Sequence, residues 1–332
     1  MKDRYTAVVR IALLNLPVAA CVSACVMNGN GERAATTGVP SYHVIAGSYV
    51  PGSGPDGNSV FLDAPEGLIV VDTGRHAAHQ EQLLRFAKER GQPIAAIVNT
   101  HWHLDHSGGN AEIMAAWPDA PLYTGTAIEG ALTGFFEESR VRVAEFLETG
   151  QASEELVAEI NRDLAAMDDA DSLRPTVAVT QSGDMTIAGR PLTVNLAPYA
   201  VTEGDVWIYE PRDGLVIAGD LVVAMVPFMD TACAEGWRAA LDDIEATPFV
   251  TLIPGHGDPM SRAQFGEWRT AFNNLLDCAA GDATKEVCVA GWTRDAAGFI
   301  PAGETRVEDM VAYYIDTRLR TAPEERQRYC EK

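Results

Sequence analysis

The chain alternates between short apolar runs and longer stretches in which apolar residues recur every three or four positions. Continuous apolar runs at 68–71 and 94–98 predict buried β-strands. Residues 76–90 have helical periodicity and stop at Gly91, with Pro93 beyond it, which predicts an amphipathic helix. Further strands are predicted at 41–50, 59–62, 176–180, 185–187, 192–196, 206–209, 215–218 and 249–253, and further helices at 110–117, 236–245, 262–276 and 307–318. Strands flanked by helices in both halves of the chain predict an α/β fold.

A long helical insertion interrupts this alternation at residues 126–171. Its leucines, phenylalanines and valines recur at helical spacing between acidic residues, which predicts two or three helices. Such helices could form part of a pocket wall, which we favour, or only an outer structural layer. The Gly- and Pro-rich segment 51–57 is likewise either a loop that overhangs a site or a plain surface turn.

The N-terminus has the pattern of a targeting segment. Basic residues precede a short apolar run at 11–20, which is too short to span a bilayer. Cys21 and Cys25 each follow small residues, as in a bacterial lipobox, although an ordinary cleavage site before a cysteine gives the same pattern. We expect a leader at 1–21, a flexible tether at 22–39, and export to the periplasm with a lipid anchor on Cys21 or Cys25.

Charge narrows the range of partners. The 332-residue chain has a formal net charge of −22. Such a field repels phosphate backbones, so nucleic acid is not an expected partner. It also disfavours strongly anionic substrates unless a metal site reverses the potential locally. The expected partner is therefore a small molecule, and the sequence names no protein partner.

The remaining four cysteines fit an oxidising compartment. Cys278 and Cys288 bracket a short polar loop and are close enough in sequence to form a local disulfide. Cys233 and Cys330 could pair or stay free. We assign residues 276–332 to a C-terminal helical extension that carries the possible disulfide.

The most informative stretch of the chain is 101–106, His-Trp-His-Leu-Asp-His, which holds three of the seven histidines. Imidazole and carboxylate at this density suit zinc or a similar divalent ion. His101 and His103 project to the same side of an extended segment, and a following turn would present Asp105 and His106 to a neighbouring position. A solvated polar loop with chance histidines is the alternative.

This stretch resembles the metal-binding motif of the metallo-β-lactamase fold superfamily, and other landmarks of that family follow in order. Residues 68–74 resemble a buried strand ending in Asp-Thr-Gly, 217–220 the segment of a bridging carboxylate, and 253–257 the segment of the last histidine ligand. The resemblance implies an αββα sandwich over residues 40–275, with Asp72 orienting a ligand histidine. It also implies the metal ligands His101, His103, Asp105, His106, Asp220 and His256.

One departure from the family pattern concerns the first metal position. Where the family's third motif has a histidine ligand, this chain has Val201, and no histidine lies between His106 and His256. The first metal position therefore keeps only His101, His103 and the shared carboxylate of Asp220. The second metal position keeps all of its ligands, which are Asp105, His106, Asp220 and His256. Tyr199, Glu203 or His76 could substitute for the missing imidazole.

The chemistry implied is hydrolytic. Zinc lowers the pKa of a bound water to about 7, and the resulting hydroxide attacks an electrophilic carbonyl. We expect one or two zinc ions with the second position favoured, and iron or manganese as less favoured ions. Asp105, Asp220, His101 and His103 are the candidate catalytic residues, the two histidines as acid or base if the first position is empty.

The candidate substrates are esters, lactones, thioesters and amides, with β-lactams included. Asp220 argues against a typical β-lactamase, because those branches usually have Cys or Ser at that position. Two other functions stay open: a metal-binding or accessory protein with little turnover, for which Val201 is the main support, and a redox enzyme that uses iron in the same pocket.

Overall fold

The computed structural model describes residues 41–50 and 54–330. The predicted leader, the predicted tether and the candidate lipidation residues Cys21 and Cys25 lie outside them. The described residues belong to one compact unit, residues 39–332. Within the described ranges, no helix is both long and apolar enough to cross a bilayer.

The first half of the chain builds one mixed sheet. The strands in this half of the chain are β1 (Tyr42–Ile45), β2 (Tyr49–Val50), β3 (Gly54–Pro55), β4 (Ser59–Ala64), β5 (Gly67–Val71), β6 (Ile94–Val98), β7 (Leu122–Thr124) and β8 (Val177–Ala178). Six of them form a sheet in the order β1, β4, β5, β6, β7, β8, and β2 pairs with β3 in a separate two-stranded antiparallel sheet. From β5 to β8 neighbouring strands are parallel, so that their carboxyl ends meet at one edge.

The second half builds another six-stranded sheet. Its strands are β9 (Gly183–Ile187), β10 (Arg190–Pro198), β11 (Gly204–Glu210), β12 (Leu215–Val223), β13 (Thr251–His256) and β14 (Met260–Ser261). They are adjacent in sequence order, from β14 at one edge to β9 at the other. Only β12 and β13 run parallel, because a helix, α8 (Ala234–Ala246), lies between them in the chain.

The two sheets face each other across a shared apolar layer. In β5, Ile69 and Val71 pack between the sheets, whereas Leu68 and Val70 pack against the helices outside. Successive side chains of a strand alternate between its faces, so one continuous apolar run serves both layers. Burying each such aliphatic side chain stabilises the fold by about 1.5–3 kcal/mol.

Helices cover the outer face of each sheet and confirm the predicted αββα sandwich with a helical insertion. The bounds of the others are α1 (Ala77–Arg90), α2 (Leu104–Ser107), α3 (Asn110–Ala116), α4 (Ile128–Thr133), α5 (Phe135–Glu148), α6 (Glu154–Asp168), α7 (Ala170–Leu173), α9 (Arg262–Ala280), α10 (Lys285–Asp295), α11 (Val307–Tyr314) and α12 (Pro323–Arg326). A 3₁₀ turn follows α10 at Ala297–Phe299, and a π turn follows α11 at Ile315–Leu319.

The structure differs from the sequence prediction in several local details. The predicted strand at 41–50 is interrupted at 46–48, where a Cβ on Gly47 would lie only 2.0 Å from the carbonyl oxygen of Asp56. The insertion holds four helices, because short α4 and α7 flank the two long ones. The predicted helix at 262–276 runs four residues further, to Ala280.

The helices after α9 pack against the second sheet's helical layer. Cys288, Trp292 and Val311 are buried in the same cluster as Trp237 and Trp268 of α8 and α9. The Trp292 indole also donates to the Met225 carbonyl, 3.0 Å away, in the segment after β12. The C-terminal segment is therefore joined to the sandwich by its own buried side chains.

Two disulfide pairs fasten this segment. Cys278 pairs with Cys288, as the sequence predicted, with 5.5 Å between their Cα atoms. Cys233 and Cys330, for which pairing and free thiols were both open, also lie at disulfide distance, with Cα atoms 5.0 Å apart. The first closes a loop within the C-terminal helices, and the second joins the start of α8 to the end of the described chain.

The two disulfides should differ in their contribution to stability. A cross-link stabilises mainly by restricting the unfolded chain, and the pairs are 97 and 10 residues apart in sequence. We expect the double variant Cys233→Ser/Cys330→Ser to lose about 2 kcal/mol more free energy of unfolding than Cys278→Ser/Cys288→Ser. Urea unfolding of both variants measures this. Equal losses would mean that packing alone constrains the C-terminal segment.

Candidate metal centre

Three segments bring the predicted ligands together at one end of the sandwich. The loop after β6 carries His101, His103, Asp105 and His106, β12 carries Asp220, and β13 ends at His256. A glycine beside Asp220 allows β12 to lie close to the loop after β6. Gly219 has φ +54°, and a Cβ on it would lie 2.5 Å from the Thr100 side chain.

Four ligands form one compact group, which is the second position of the sequence analysis. Asp220 Oδ1 lies 3.1 Å from His106 Nε2 and 3.3 Å from His256 Nε2. Asp105 Oδ2 lies 3.1 Å from the same His256 nitrogen. One ligand atom from each of these four residues lies within 4.8 Å of the other three.

The first position is a smaller group of His101, His103 and Asp220. His101 Nε2 lies 3.0 Å from His103 Nδ1 and 3.9 Å from Asp220 Oδ2. Val201 is fully buried in the hydrophobic cluster and offers no side-chain donor atom. The position therefore has two imidazoles and a shared carboxylate.

The proposed substitutes for the missing imidazole do not enter this group. Among the described residues, neither His76 nor Glu203 belongs to a group that could hold a metal. His76 contacts Asp56 instead, Nδ1 to Oδ2 at 3.0 Å. No hydrogen bond in the described ranges joins Tyr199 to either histidine; its backbone N–H donates to the Glu203 carbonyl.

Asp72 orients the ligand His106 directly, as the resemblance implied for one ligand histidine, and contacts His101 only through Thr100. His106 Nδ1 lies 2.8 Å from Asp72 Oδ2, and the Thr100 hydroxyl donates to the same oxygen at 2.8 Å. Because the Thr100 proton is committed to Asp72, its oxygen accepts from His101 Nδ1, 3.1 Å away. Both imidazoles can then present an unprotonated Nε2 to a cation bound at the centre.

Thr231 performs the same task for His103, and the sequence analysis did not identify it. Its hydroxyl donates to the Val201 carbonyl at 2.8 Å, so the oxygen accepts from His103 Nε2 at 3.0 Å. The unprotonated nitrogen of His103 is then Nδ1, which faces His101. Thr231 lies 128 residues from His103 in a loop without a recognisable motif, so only the fold reveals the contact.

The donor set fits a divalent cation. Both Asp220 oxygens are buried and make no hydrogen bond of acceptable geometry, although imidazole nitrogens lie beside them. The carboxylate and imidazole atoms that lie 3.1–3.3 Å apart around Asp220 Oδ1 require positive charge among them. Nitrogen and carboxylate oxygen are the donors that zinc and similar ions accept.

Electrostatics point to the same requirement for positive charge. Burial alone would lower the pKa of His256, but the carboxylates of Asp220 and Asp105 raise it to about 9. Burial likewise opposes the charged form of His106, whose pKa is nevertheless held well above its ordinary value by Asp220, Asp72 and Asp105. A proton or a metal cation supplies the charge that these carboxylates require.

The described part of the Gly- and Pro-rich segment, residues 54–57, borders this centre. The Gly57 N–H donates to the Asp105 carbonyl at 2.8 Å, and a Cβ on Gly57 would lie 2.5 Å from the His106 ring. Asp56 anchors the loop by accepting from the backbone N–H groups of Arg75 and His76, each at 2.8 Å. Burial raises the pKa of Asp56, but these hydrogen bonds and that of the His76 ring outweigh it and lower the pKa to about 2.

A cavity of about 1010 Å³ extends outward from the centre. His103, Asp105 and His256 lie in its wall, together with residues of α5 and α6, so the insertion does form part of a pocket wall. The C-terminal segment forms another part, which the sequence analysis did not anticipate. Three arginines that sequence reasoning did not place also line it: Arg75, Arg142 and Arg306.

Comparisons with known proteins agree with this arrangement. A linear primary-alkylsulfatase of Pseudomonas sp. is 28% identical over 222 residues, which are 60% of this chain and 41% of that protein. A hydroxyacylglutathione hydrolase of Synechococcus sp. is 41% identical over 54 residues, 16% of this chain and 21% of that protein. The chain thus spans about two fifths and one fifth of the lengths of these two relatives.

Solved structures share the fold. A metallo-beta-lactamase family protein from Thermus thermophilus superposes with a TM-score of 0.55 at 18% identity, over 83% of this chain and 93% of that one. A metallo-beta-lactamase from Pontibacter korlensis gives 0.50 at 19% identity, over 72% and 98%. The model of the metallo-beta-lactamase superfamily matches residues 52–256, more than half of the sequence, and these residues carry all six candidate ligands. The chain therefore belongs to the metallo-beta-lactamase superfamily.

Proposed function

We propose that this protein is a metal-dependent hydrolase that acts on an ester, lactone, thioester or amide, with zinc as its ion. The observation that carries the proposal is Asp220, a buried carboxylate without a hydrogen bond among imidazole nitrogens. Membership of the superfamily supports it, as does similarity to proteins named as an alkylsulfatase and a hydroxyacylglutathione hydrolase. Sulfate esters therefore belong among the compounds to test.

Asp105, His106, Asp220 and His256 would hold the ion, since they form the complete ligand group. A cation bound there would supply an activated water and would stabilise negative charge on the substrate oxygen. His101 and His103 form a weaker position because Val201 replaces a third imidazole. One ion per chain, at the second position, is the stoichiometry that we propose.

With the first position empty, the chain itself provides proton-transfer groups beside the reacting atoms. Thr100 and Thr231 direct His101 Nε2 and His103 Nδ1 toward each other, 3.0 Å apart, so this pair can share one proton and pass it to a leaving group. Asp220 and Asp105 carry carboxylate oxygens at the same place and can accept a proton from water. His103 and Asp105 line the cavity, so a bound substrate reaches them directly.

An accessory protein with little turnover is the second candidate, and Val201 is the observation that favours it. Its side chain fills part of the hydrophobic cluster where the family pattern has a ligand. This candidate retains the complete second group and therefore binds metal. It is distinguished from the hydrolase by the absence of turnover in metal-loaded protein.

We also propose export to the periplasm with a lipid anchor on Cys21 or Cys25. The basic and apolar N-terminal pattern supports export. Two disulfide pairs support it too, because disulfides persist in oxidising compartments. Metabolic labelling with a fatty acid, compared between Cys21→Ala and Cys25→Ala, tests the anchor.

Replacement of His101 should lower turnover without lowering the metal content. We expect protein purified without added metal or chelator to contain about one zinc per chain by elemental analysis. His101→Ala should keep nearly all of that zinc but lose roughly 10²- to 10⁴-fold in turnover, the range for removal of an acid–base group. His256→Ala should lose the zinc itself, because His256 belongs to the complete group.

The matched control is His43→Ala, which makes the same change at an exposed histidine stacked on Phe86, outside both ligand groups. It should change neither zinc content nor turnover. A large loss of zinc in His101→Ala would contradict the one-ion arrangement. Two zinc ions per chain in the unaltered protein would do so as well.

Thr231 should act as a positioning residue for His103. Thr231→Val keeps the side-chain shape and removes the hydroxyl that accepts a hydrogen bond from His103 Nε2. The His103 ring can then change tautomer or rotate. We expect turnover to fall by about 10- to 100-fold with zinc content unchanged. The ¹⁵N chemical shifts of His103 should show a mixture of tautomers, and Thr231→Ser should restore both readouts. Unchanged ¹⁵N shifts in Thr231→Val would refute this role.

A further inference from the structure

We propose that the cavity selects substrates with a large uncharged apolar group, an extended hydrocarbon chain or a fused ring, which lies between the helical insertion and the C-terminal segment. This inference rests on the proposed hydrolytic function and names its substrate class. Three independent features carry it: the neighbours of the ligand histidines, the composition of the two walls, and the pairing of the charged residues in the cavity.

Aromatic rings flank the ligand histidines on the cavity side. The Trp102 ring meets the His103 ring edge-on with centroids 4.4 Å apart, and Phe135 lies 6.0 Å from His103. On the other side of the centre, Phe228 lies 5.2 Å from His256. A substrate whose reactive group reaches the ligands therefore places its adjoining atoms against hydrocarbon in both directions.

The walls farther from the centre are also apolar. From α5 and α6 the cavity is lined by Val143, Phe146, Ile160 and Met167, and from the C-terminal segment by Phe299 and Met310. Phe146 is 38% exposed, so it is a large apolar side chain that the protein itself leaves partly uncovered. Burial of substrate hydrocarbon against these side chains is favourable in proportion to the area removed from water.

The size of the cavity favours a large substituent over a small acyl group. Its volume of about 1010 Å³ lies at the upper end of the roughly 300–1,000 Å³ that is typical of sites for drug-sized ligands. A group as small as acetyl would leave most of both walls in contact with water. The full apolar surface is used only by a substituent that extends from the ligands to the outer part of α5.

The arginines in the cavity wall all lie beside carboxylates of the protein itself. Arg75 Nε lies 3.3 Å from Asp163 Oδ1, and Arg142 Nη1 lies 3.7 Å from Glu138 Oε2. Arg306 forms an ion pair with Glu304. Glu138 lies outside the cavity lining and also pairs with Arg328, but the lining itself holds six carboxylates against three arginines. The net charge of −22 opposes anions further. The apolar group is therefore inferred to be uncharged.

A matched pair of valines on α5 tests the inference. Val143 lines the cavity, whereas Val141 is 53% exposed and does not line it. Val143→Asp and Val141→Asp make the same change on the same helix, so they share any cost to helix stability. The substrates are p-nitrophenyl esters from acetate to decanoate, assayed with the zinc-loaded protein.

In the unaltered protein and in Val141→Asp, kcat/KM should rise about three- to fourfold for each added methylene while the chain lies within the cavity. In Val143→Asp the ratio of decanoate to acetate kcat/KM should fall by at least about tenfold, because a carboxylate then faces the hydrocarbon. Phe146→Asp repeats the test at a partly exposed position, in case Val143→Asp does not fold. A flat chain-length series in the unaltered protein overturns the inference and leaves hydrolysis intact.

Binding provides a readout that does not need turnover. The neutral fluorescent probe N-phenyl-1-naphthylamine, titrated into metal-free protein, should bind to the unaltered chain and to Val141→Asp, and at least about tenfold more weakly to Val143→Asp. Probe binding with this pattern supports the apolar cavity, and if the zinc-loaded protein also hydrolyses no ester, sulfate ester, lactone, thioester or amide, the proposed hydrolase is refuted. Equal binding to both variants overturns the inference.

Discussion

The candidate site depends on one constraint: a buried carboxylate must be neutralised by positive charge, either a proton on a neighbouring imidazole or a metal cation. Asp220 is 2% exposed, and neither of its oxygens has a hydrogen bond of acceptable geometry. The neighbouring backbone accommodates this carboxylate, since a Cβ on Gly255 would lie 2.0 Å from Asp220 Oδ1. Two separate segments, the loop after β6 and the end of β13, converge on Asp220 and present imidazole nitrogens to it. Positive charge at this point therefore joins the two halves of the sandwich, because the first sheet supplies His106 and the second supplies Asp220 and His256.

The next layer of contacts decides which nitrogen of each imidazole is available. Asp72 and Thr100 fix His106 and His101, while Thr231 fixes His103 through a neutral hydroxyl and a backbone carbonyl. The second position is therefore surrounded by anionic charge, whereas the first keeps oriented imidazoles with less charge and one ligand fewer. This asymmetry follows from Val201 together with Thr231. It explains in physical terms why the two positions should bind a cation with different strength.

The sequence allowed prediction of those features that depend on neighbours in the chain. The buried strands β5 and β6 were found from their apolar runs, and the histidine motif was found because four ligands lie within six residues. Features that depend on tertiary contact were missed. Thr231 reaches His103 across 128 residues, and the break between β1 and β2 follows from close approach to Asp56. Helix α10 lies in the predicted C-terminal helical extension, but its bounds were not predicted, because its apolar residues do not collect on one face and its burial rests on Trp292 and Cys288.

The loop between β12 and α8 shows why the metal centre and the cavity cannot be treated separately. Within six residues it places Phe228 against His256, Thr231 against His103, and Cys233 in the disulfide with Cys330. Asp230 of the same loop accepts a hydrogen bond from the Tyr314 hydroxyl, 2.8 Å away at the end of α11. A shift of the C-terminal segment would therefore be transmitted to two ligand histidines through a few covalently adjacent residues. The C-terminal segment therefore forms one wall of the cavity and also, through this loop, helps to orient His103 and His256. The same contacts thus support the substrate cavity and the metal ligands.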